Sequence, residues 1–101
     1  MSTELRDAVE VDPQHYTVEF ENERVRVLRI RYAPREKSVM HSHPASVVVF
    51  LTDFYGQFTD PDGKTEEQRA QAGQVFWAPP ETHLPESLDQ PYEVLQIELK
   101  G

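Results

Sequence analysis

Residues 41–51 have the sequence HSHPASVVVFL, in which two histidines one residue apart precede an apolar run of strand length. Side chains at positions i and i+2 of an extended segment point to the same face, so His41 and His43 are expected to share one face of a strand. A third histidine, His83, follows later in the chain, behind two consecutive prolines. Neutral imidazole is a ligand that zinc, iron, copper and nickel all accept. The pattern therefore predicts a metal site at which these three histidines converge, with coordination positions left for water or substrate.

The sequence around this stretch is mainly that of short β-strands. Apolar segments are separated by turn residues every eight to twelve positions, which is typical of a sandwich or a barrel. Strands are predicted at residues 16–20, 24–32, 38–43, 47–52, 54–59, 75–78 and 92–99, and residues 82–86 fit either a short strand or a loop. A change of phase indicates a β-bulge near Val27-Leu28, or burial of both faces of that strand. Few segments have helical periodicity, so we expect an all-β chain that forms a small barrel.

Two connecting segments were assigned from their composition. The sequence Asp60-Pro61-Asp62-Gly63 predicts a tight turn, because proline presets φ and glycine accepts a positive φ. Residues 64–72 are polar and fit either a strand or a short helical turn.

Length and composition limit the number of domains and the classes of partner. The chain has 101 residues, enough for one domain, and we assign residues 16–101 to it and residues 1–15 to a polar, loosely ordered N-terminal segment. The formal net charge of −8 argues against binding to nucleic acid or to an anionic membrane. No apolar run is long enough to span a bilayer and no signal peptide is visible, so a cytoplasmic location is expected.

The chain contains no cysteine. Disulfides, thiolate metal ligands and a cysteine nucleophile are thereby excluded. Any bound metal must be held by nitrogen and oxygen atoms.

The residues of the predicted metal site match two motifs of a known family, the cupins, which are small jelly-roll β-barrels. The first motif has the form G-x5-H-x-H-x3,4-E-x6-G; His41 and His43 fit it, and Gly56 lies close to the position of its last glycine. The second has the form G-x5-P-x-G-x2-H-x3-N, and Gly73, Pro79 and His83 fit it with a contraction of one residue. The resemblance covers residues 16–100 and implies an all-β jelly-roll, or double-stranded β-helix, fold with one divalent transition metal.

A narrower resemblance implies little about the reaction. Residues 20–28, residues 58–64 and the segment from Pro79 to His83 resemble a group of short single-domain bacterial cupins, some of which are linked by name to β-alanine degradation. The chemistry of that group is poorly defined, so the resemblance informs the fold and the metal site better than the substrate.

The chain departs from the first motif at the glutamate position, which we assign to Val47. A site with three histidines and no carboxylate resembles that of the diketone-cleaving and thiol dioxygenases, which hold non-haem Fe(II). Loss of the carboxylate also makes the metal complex one unit more positive and frees a coordination position. Both effects favour an anionic or chelating small-molecule substrate such as an enolate.

Three functions remain open from the sequence. The first is a metal-dependent enzyme that acts on a small organic acid or dicarbonyl, either as an Fe(II) dioxygenase or as a Zn, Mn or Ni isomerase or lyase. The second is a non-catalytic module that binds a small molecule. The third is a structural remnant in which the three histidines are unrelated loop residues and no metal binds.

Several other polar residues have both a functional and a structural interpretation. Glu81 shares its side of an extended segment with His83, and it is either a base near the metal or a solvated loop carboxylate. His15 lies outside both motifs and is expected to be exposed. The arginines of residues 24–31 are expected to pair with Glu93 and Glu98 across the sheet; the alternative is that one of them clamps a substrate carboxylate. Because each ligating imidazole donates its second N–H, and few buried acids are evident, backbone carbonyls are the expected acceptors.

A homodimer is predicted from the excess of apolar strand surface. The two-faced strand of residues 25–32 and the apolar run of residues 47–51 exceed what the core of one small domain should need.

Overall fold

The computed structural model describes residues 6–101. Within this range the chain forms a short helix and nine strands: α1 (Ala8–Val11), β1 (Tyr16–Glu21), β2 (Val25–Tyr32), β3 (His41–His43), β4 (Ser46–Phe50), β5 (Phe54–Thr59), β6 (Thr65–Ala70), β7 (Val75–Ala78), β8 (Glu81–Ser87) and β9 (Tyr92–Leu99). The predicted all-β class is confirmed, and the predicted bounds of the strands at 54–59, 75–78 and 92–99 match those of β5, β7 and β9.

The strands form two antiparallel sheets. One has five strands in the order β1-β2-β9-β4-β7, and the other has four in the order β3-β8-β5-β6. The three central strands of the larger sheet pair without interruption, with Leu28 opposite Gln96 and Gln96 opposite Val48. Because β3 and β8 are neighbours in the smaller sheet, the two segments that carry the candidate metal ligands lie side by side.

The apolar core lies on the inner face of the larger sheet. Leu28, Ile30 and Tyr32 of β2 are buried, and on β9 Tyr92 and Val94 are buried in the same phase. Phe54 of β5 packs on Tyr92 with ring centroids 4.4 Å apart, which joins the two sheets. The alternation of β2 predicted from the sequence is thus confirmed, with its second set of apolar residues turned inward.

The arginines of β2 have the structural role expected for them. Arg26 contacts Glu98 at 2.7 Å, and Arg29 and Arg31 both contact Glu93. These are the register partners of β9, since Arg26 lies opposite Glu98 and Arg31 lies opposite Glu93. Cross-strand ion pairing therefore occupies these guanidinium groups.

The phase change expected near Val27-Leu28 has a different origin. The pairing of β2 with β9 is regular there, and the register shift lies in β1, between Val18 and Phe20. Val27 pairs with Phe20 and Leu28 pairs with Val18, so the additional residue is Glu19. The bulge that was one of the two alternatives for β2 therefore lies on β1 instead. A bulge is a mismatch between two paired strands, and the apolar pattern of β2 alone does not show which of the two carries the additional residue.

The structure also decides the predictions for residues 38–43, 60–63 and 64–72. Residues 65–70, which were left open, form a strand, and the predicted strand at 38–43 begins only at His41. The predicted turn is confirmed: Gly63 has a φ of +89°, and the Asp60 carboxylate accepts hydrogen bonds from the backbone N–H groups of Asp62 and Lys64.

The described part of the N-terminal segment packs against the fold and is not loosely ordered. Ala8 of α1 is fully buried, and Asp7 forms a parallel bridge with Ser42 of β3. His15, expected to be exposed, is only 5% exposed, and its ring stacks on that of Tyr32 with centroids 4.1 Å apart. The polar composition of this segment suggested exposure, but the segment is partly buried. Burial is possible because its polar side chains form hydrogen bonds with residues from distant parts of the chain.

Within residues 6–101, no helix has the length and the hydropathy that a membrane span requires.

Candidate metal centre

The three predicted ligands converge at one point between the sheets. His41 and His43 lie on the same face of β3, and His83 of β8 is the register partner of His41. One nitrogen from each ring lies within 4.8 Å of the others. The ring centroids are 4.8–5.3 Å apart and the rings are close to perpendicular to one another. This geometry arises because cross-strand neighbours on one face of an antiparallel pair place their side chains next to each other.

The nitrogens that face the centre of this group fit a metal ion. Among the described residues, the buried side-chain nitrogen and oxygen atoms that lack a hydrogen-bond partner are the Nε2 atoms of His41, His43 and His83. A buried polar atom without a partner costs about 1–3 kcal/mol, so three together at one point call for a common partner. Three neutral imidazoles form a donor set for a divalent transition metal.

The environment keeps His41 in the neutral form that metal binding needs. Burial of its ring lowers the pKa of His41 to about 3, and the neighbouring His43 and His83 act in the same direction. The ring donates from Nδ1 to the backbone carbonyl of Val39 at 2.9 Å, which leaves Nε2 unprotonated and turned toward the other two histidines. The acceptor is a backbone carbonyl, as the sequence analysis expected.

His43 is held by a carboxylate instead. Its Nδ1 donates to Glu98 Oε2 at 2.7 Å, and Glu98 is almost fully buried. Arg26 donates to the other oxygen of Glu98 from Nε at 2.9 Å and also contacts Asp7. Here the expectation of a carbonyl acceptor was wrong. Arg26 compensates the charge of a buried carboxylate that the sequence pattern did not reveal.

Glu81 lies beside the third ligand. Its Oε1 is 3.6 Å from His83 Nδ1, and the residue opposite Glu81 in the sheet is His43. Burial alone would raise the pKa of Glu81, but the contact with His83 holds that pKa below its ordinary value. Glu81 therefore carries a negative charge at neutral pH and borders the same cavity as His43 and His83.

A second polar network supports His41 from the side of the N-terminal segment. Asp12 accepts from Ser38 Oγ at 2.5 Å and contacts His15 Nδ1 at 2.8 Å. Ser38 Oγ lies 3.4 Å from His41 Nδ1, and His15 Nε2 contacts Glu36 at 3.0 Å. Both ring nitrogens of His15 are thus engaged by carboxylates, so His15 is not part of the three-histidine group, and it helps to fix the segment that precedes β3.

The residue that faces the cavity at the position of the missing glutamate is Val48, and Val47 is turned to the outer face. Val48 borders the cavity and packs on the core, whereas Val47 pairs with Trp77 and Ile97 on the opposite side of the sheet. The motif allows three or four residues between the second histidine and the glutamate, and the longer spacing applies here. Both positions are valine, so the motif's glutamate is absent whichever of the two spacings applies.

A cavity of about 920 Å³ opens beside His43 and His83. Aromatic side chains from both sheets contribute to its walls, with Phe58 stacked on the ring of His83 at a centroid distance of 5.0 Å. The volume is within the range that accommodates small organic ligands.

Sequence reasoning found the three histidines and missed the buried polar residues of β9. Glu98, which accepts from His43, and Gln96, which donates to Ser46 Oγ, follow Tyr92 and Val94 in the inward phase of β9, and both are buried. Because these two polar residues continue the alternation of two core residues, their burial could have been predicted from the sequence. It was not, because Leu95, Ile97 and Leu99, which face outward, form the more evident apolar series.

Solved structures with the same architecture identify the fold. No family model matches the sequence, and the search of curated proteins gave no match. A cupin domain from Bordetella pertussis Tohama I is 23% identical, with a TM-score of 0.79 over 99% of this chain and 100% of that one. A protein with a double-stranded β-helix domain from Klebsiella pneumoniae is 15% identical, with a TM-score of 0.67 over 99% and 92%.

An enzyme is also among the similar structures. A variant of oxalate decarboxylase from Bacillus subtilis is 18% identical, with a TM-score of 0.59, but the match covers 79% of this chain and only 22% of that one. At these identities the likeness concerns the fold. The jelly-roll topology, the shared architecture and the inward-facing histidines together show that this chain has the cupin fold, the double-stranded β-helix that its two histidine motifs predicted.

Proposed function

We propose that this protein is a metal-dependent enzyme that acts on a small organic acid or dicarbonyl, with one divalent transition metal held by His41, His43 and His83. The observation that carries the proposal is the set of three buried Nε2 atoms, all without a hydrogen-bond partner and all directed at one point beside a ligand-sized cavity. A role as unrelated polar residues would leave each of these atoms desolvated at a cost.

The proposed reaction is dioxygenase-like. A bound Fe(II) ion would supply Lewis acidity and would mediate electron transfer from the substrate, which is oxidised, to O₂. The chain supplies the rest: the three Nε2 atoms bind the ion, and Val48 leaves a coordination position that a carboxylate would otherwise fill. The apolar walls exclude water from the substrate. Glu81, ionised and on the cavity wall, accepts the proton that an acidic substrate loses as it becomes an enolate.

A non-redox reaction is the second candidate, and the position of Glu81 supports it. A carboxylate next to a ligating histidine is placed to move a proton between two positions of a bound carbonyl compound. With zinc, manganese or nickel at the same three histidines, this arrangement fits an isomerase or a lyase. The two candidates share the metal ligands and differ in the need for O₂.

Metal analysis followed by an oxygen assay tests the proposal. The apoprotein should take up one equivalent of Fe(II) or Zn(II), measured by elemental analysis. The Fe(II) form should then consume O₂ with at least one substrate from a panel of diketones, thiols and phenols. Metal uptake without O₂ consumption, together with proton exchange at a carbonyl compound, would favour the isomerase or lyase. Metal uptake with a ligand recovered unchanged would favour a binding module.

The fourth histidine provides a matched control. His41→Gln and His83→Gln should each lose most of the bound metal, whereas His15→Gln should retain it, because His15 is engaged by Asp12 and Glu36. If all three variants bind metal as the wild type does, the proposed centre is wrong.

A further inference from the structure

Aromatic side chains from both sheets border the cavity that leads to the candidate metal ligands. Among the described residues eight Phe, Tyr and Trp side chains line it: Tyr16, Tyr32, Phe50, Phe54, Phe58, Phe76, Trp77 and Tyr92. Phe58 is stacked on His83, and Phe54 lies 6.0 Å from Phe58 with the two rings nearly parallel. The apolar wall therefore begins at a candidate metal ligand and extends away from it.

Phe76 leaves apolar surface uncovered at this wall. It lies on edge strand β7 opposite Val48, in the inward phase of the sheet, yet 46% of it is exposed. Its ring meets Phe50 edge-on at a centroid distance of 5.6 Å, and its remaining surface borders the cavity. An inward-facing aromatic ring that the protein itself does not cover is a contact surface for a ligand with an apolar body.

The charges around the cavity disfavour a ligand with several negative charges. Among the lining residues in the range 6–101, Lys64 and Arg69 are cationic and both are exposed; the guanidinium of Arg69 lies over the ring of Tyr55, 3.7 Å from its centroid. Three carboxylates, those of Asp60, Glu66 and Glu81, border the same space. Among the lining residues that the structure describes, neither cation is buried, so the cavity offers no buried cationic side chain to bind a second carboxylate.

We propose that the ligand of this cavity is a planar aromatic compound that carries a single bidentate oxygen chelating group with at most one negative charge. The chelating group binds at the metal, and the ring lies along the wall formed by Phe58 and Phe76. This inference rests on the proposed metal centre and specifies its substrate class, since the protein offers an aromatic contact surface in place of a second charged anchor.

Matched hydroxamates measure the contribution of the ring. Acetohydroxamate, cyclohexanecarbohydroxamate and benzohydroxamate share one chelating group and differ in the attached body. Their affinities for the zinc-loaded protein are measured by calorimetry and divided by their affinities for zinc in solution. Benzohydroxamate should exceed acetohydroxamate by about tenfold or more, as expected for burial of one ring. It should also exceed the non-planar cyclohexane compound. Equal corrected affinities for the three compounds would overturn the inference.

Two phenylalanine variants locate the effect. Phe76→Ala should reduce the preference for benzohydroxamate by about fivefold and leave acetohydroxamate binding unchanged. Phe20→Ala is the control, because Phe20 has a similar exposure of 54% and lies on the same sheet but not at the cavity. Preservation of the full preference in Phe76→Ala would contradict the proposed position of the ring.

The zinc content of each sample distinguishes a failure of the inference about substrate class from a failure of the proposed metal centre. If zinc binds and the preference for a ring is absent, the inference about substrate class fails and the metal centre stands. If the wild-type protein binds no zinc or iron, the proposed function fails and this inference fails with it.

Discussion

Glu98 Oε2 accepts a hydrogen bond from His43 Nδ1 at 2.7 Å, and both side chains are nearly inaccessible to solvent. The residues come from β9 of the larger sheet and β3 of the smaller one, so this bond connects the two layers at the metal site. With Nδ1 donating to the carboxylate, Nε2 of His43 is the nitrogen left free for a metal. A carboxylate in this position also makes the imidazole a stronger ligand.

Replacement of Glu98 should weaken metal binding without removing a ligand. Glu98→Gln keeps the size and an acceptor oxygen but loses the charge that makes His43 basic. We expect a drop in zinc affinity of about tenfold, in the lower part of the range for such outer partners of a ligating histidine. Competition with a chromogenic chelator provides the measurement.

Glu93→Gln is the matched control for that experiment. Glu93 lies on the same strand and also pairs with arginines, but on the outer face of the sheet. If the zinc affinities of the two variants are equal, the carboxylate of Glu98 does not tune His43.

Metal should stabilise the folded protein, because it satisfies three buried nitrogens that have no other partner. At a free zinc concentration one hundred times the dissociation constant, the free energy of unfolding should rise by about 2.7 kcal/mol. Urea unfolding with zinc and with a chelator tests this. His41→Gln should show no zinc-dependent shift. An equal shift in this variant would mean that zinc acts elsewhere on the chain.

Asp12 should contribute to stability through its two buried partners. Asp12→Ala leaves both Ser38 Oγ and His15 Nδ1 without their acceptor, which should lower the free energy of unfolding by about 1–3 kcal/mol. Glu10→Ala, at an exposed position of α1 two residues before Asp12, should change it by less than about 0.5 kcal/mol. Similar losses in both variants would contradict the network.

The homodimer expected from the sequence stays a prediction, and the structure offers a candidate surface for its interface. The outer side of the five-stranded sheet exposes Phe20, Val75, Trp77 and Leu99, with Trp77 60% exposed. In such a dimer a two-fold axis would bring the same apolar patch of each copy together, and its burial would offset the repulsion expected from a charge of −8.

Light scattering tests this prediction. The wild type should have twice the chain mass of 11.7 kDa, and Trp77→Glu should have the mass of a monomer. Gln57→Glu, on the smaller sheet, should remain dimeric. A monomeric wild type, or a dimeric Trp77→Glu, would exclude this face as the interface.

The strands that were predicted well are those whose signals are local. β5, β7 and β9 are each bounded by residues that stop a strand, such as the turn at residues 60–63 and the prolines after Ala78, and their bounds were found correctly. The bulge at Glu19 and the burial of His15 were not found, because each depends on a partner strand or ring that is remote in the sequence. Periodicity reports how one segment alternates and carries no information about its neighbour.

The sequence by itself determined that strands would form, that His41 and His43 would share one face, and that any bound metal would be held by nitrogen and oxygen atoms in a chain without cysteine. Only the tertiary structure decided that His83 would lie opposite His41, that Val48 and not Val47 would face the cavity, and that Glu98 would be buried beside His43. The physical reason is that side-chain alternation follows from backbone geometry within one strand. The register between strands distant in sequence follows from the packing and hydrogen bonding of the whole sheet.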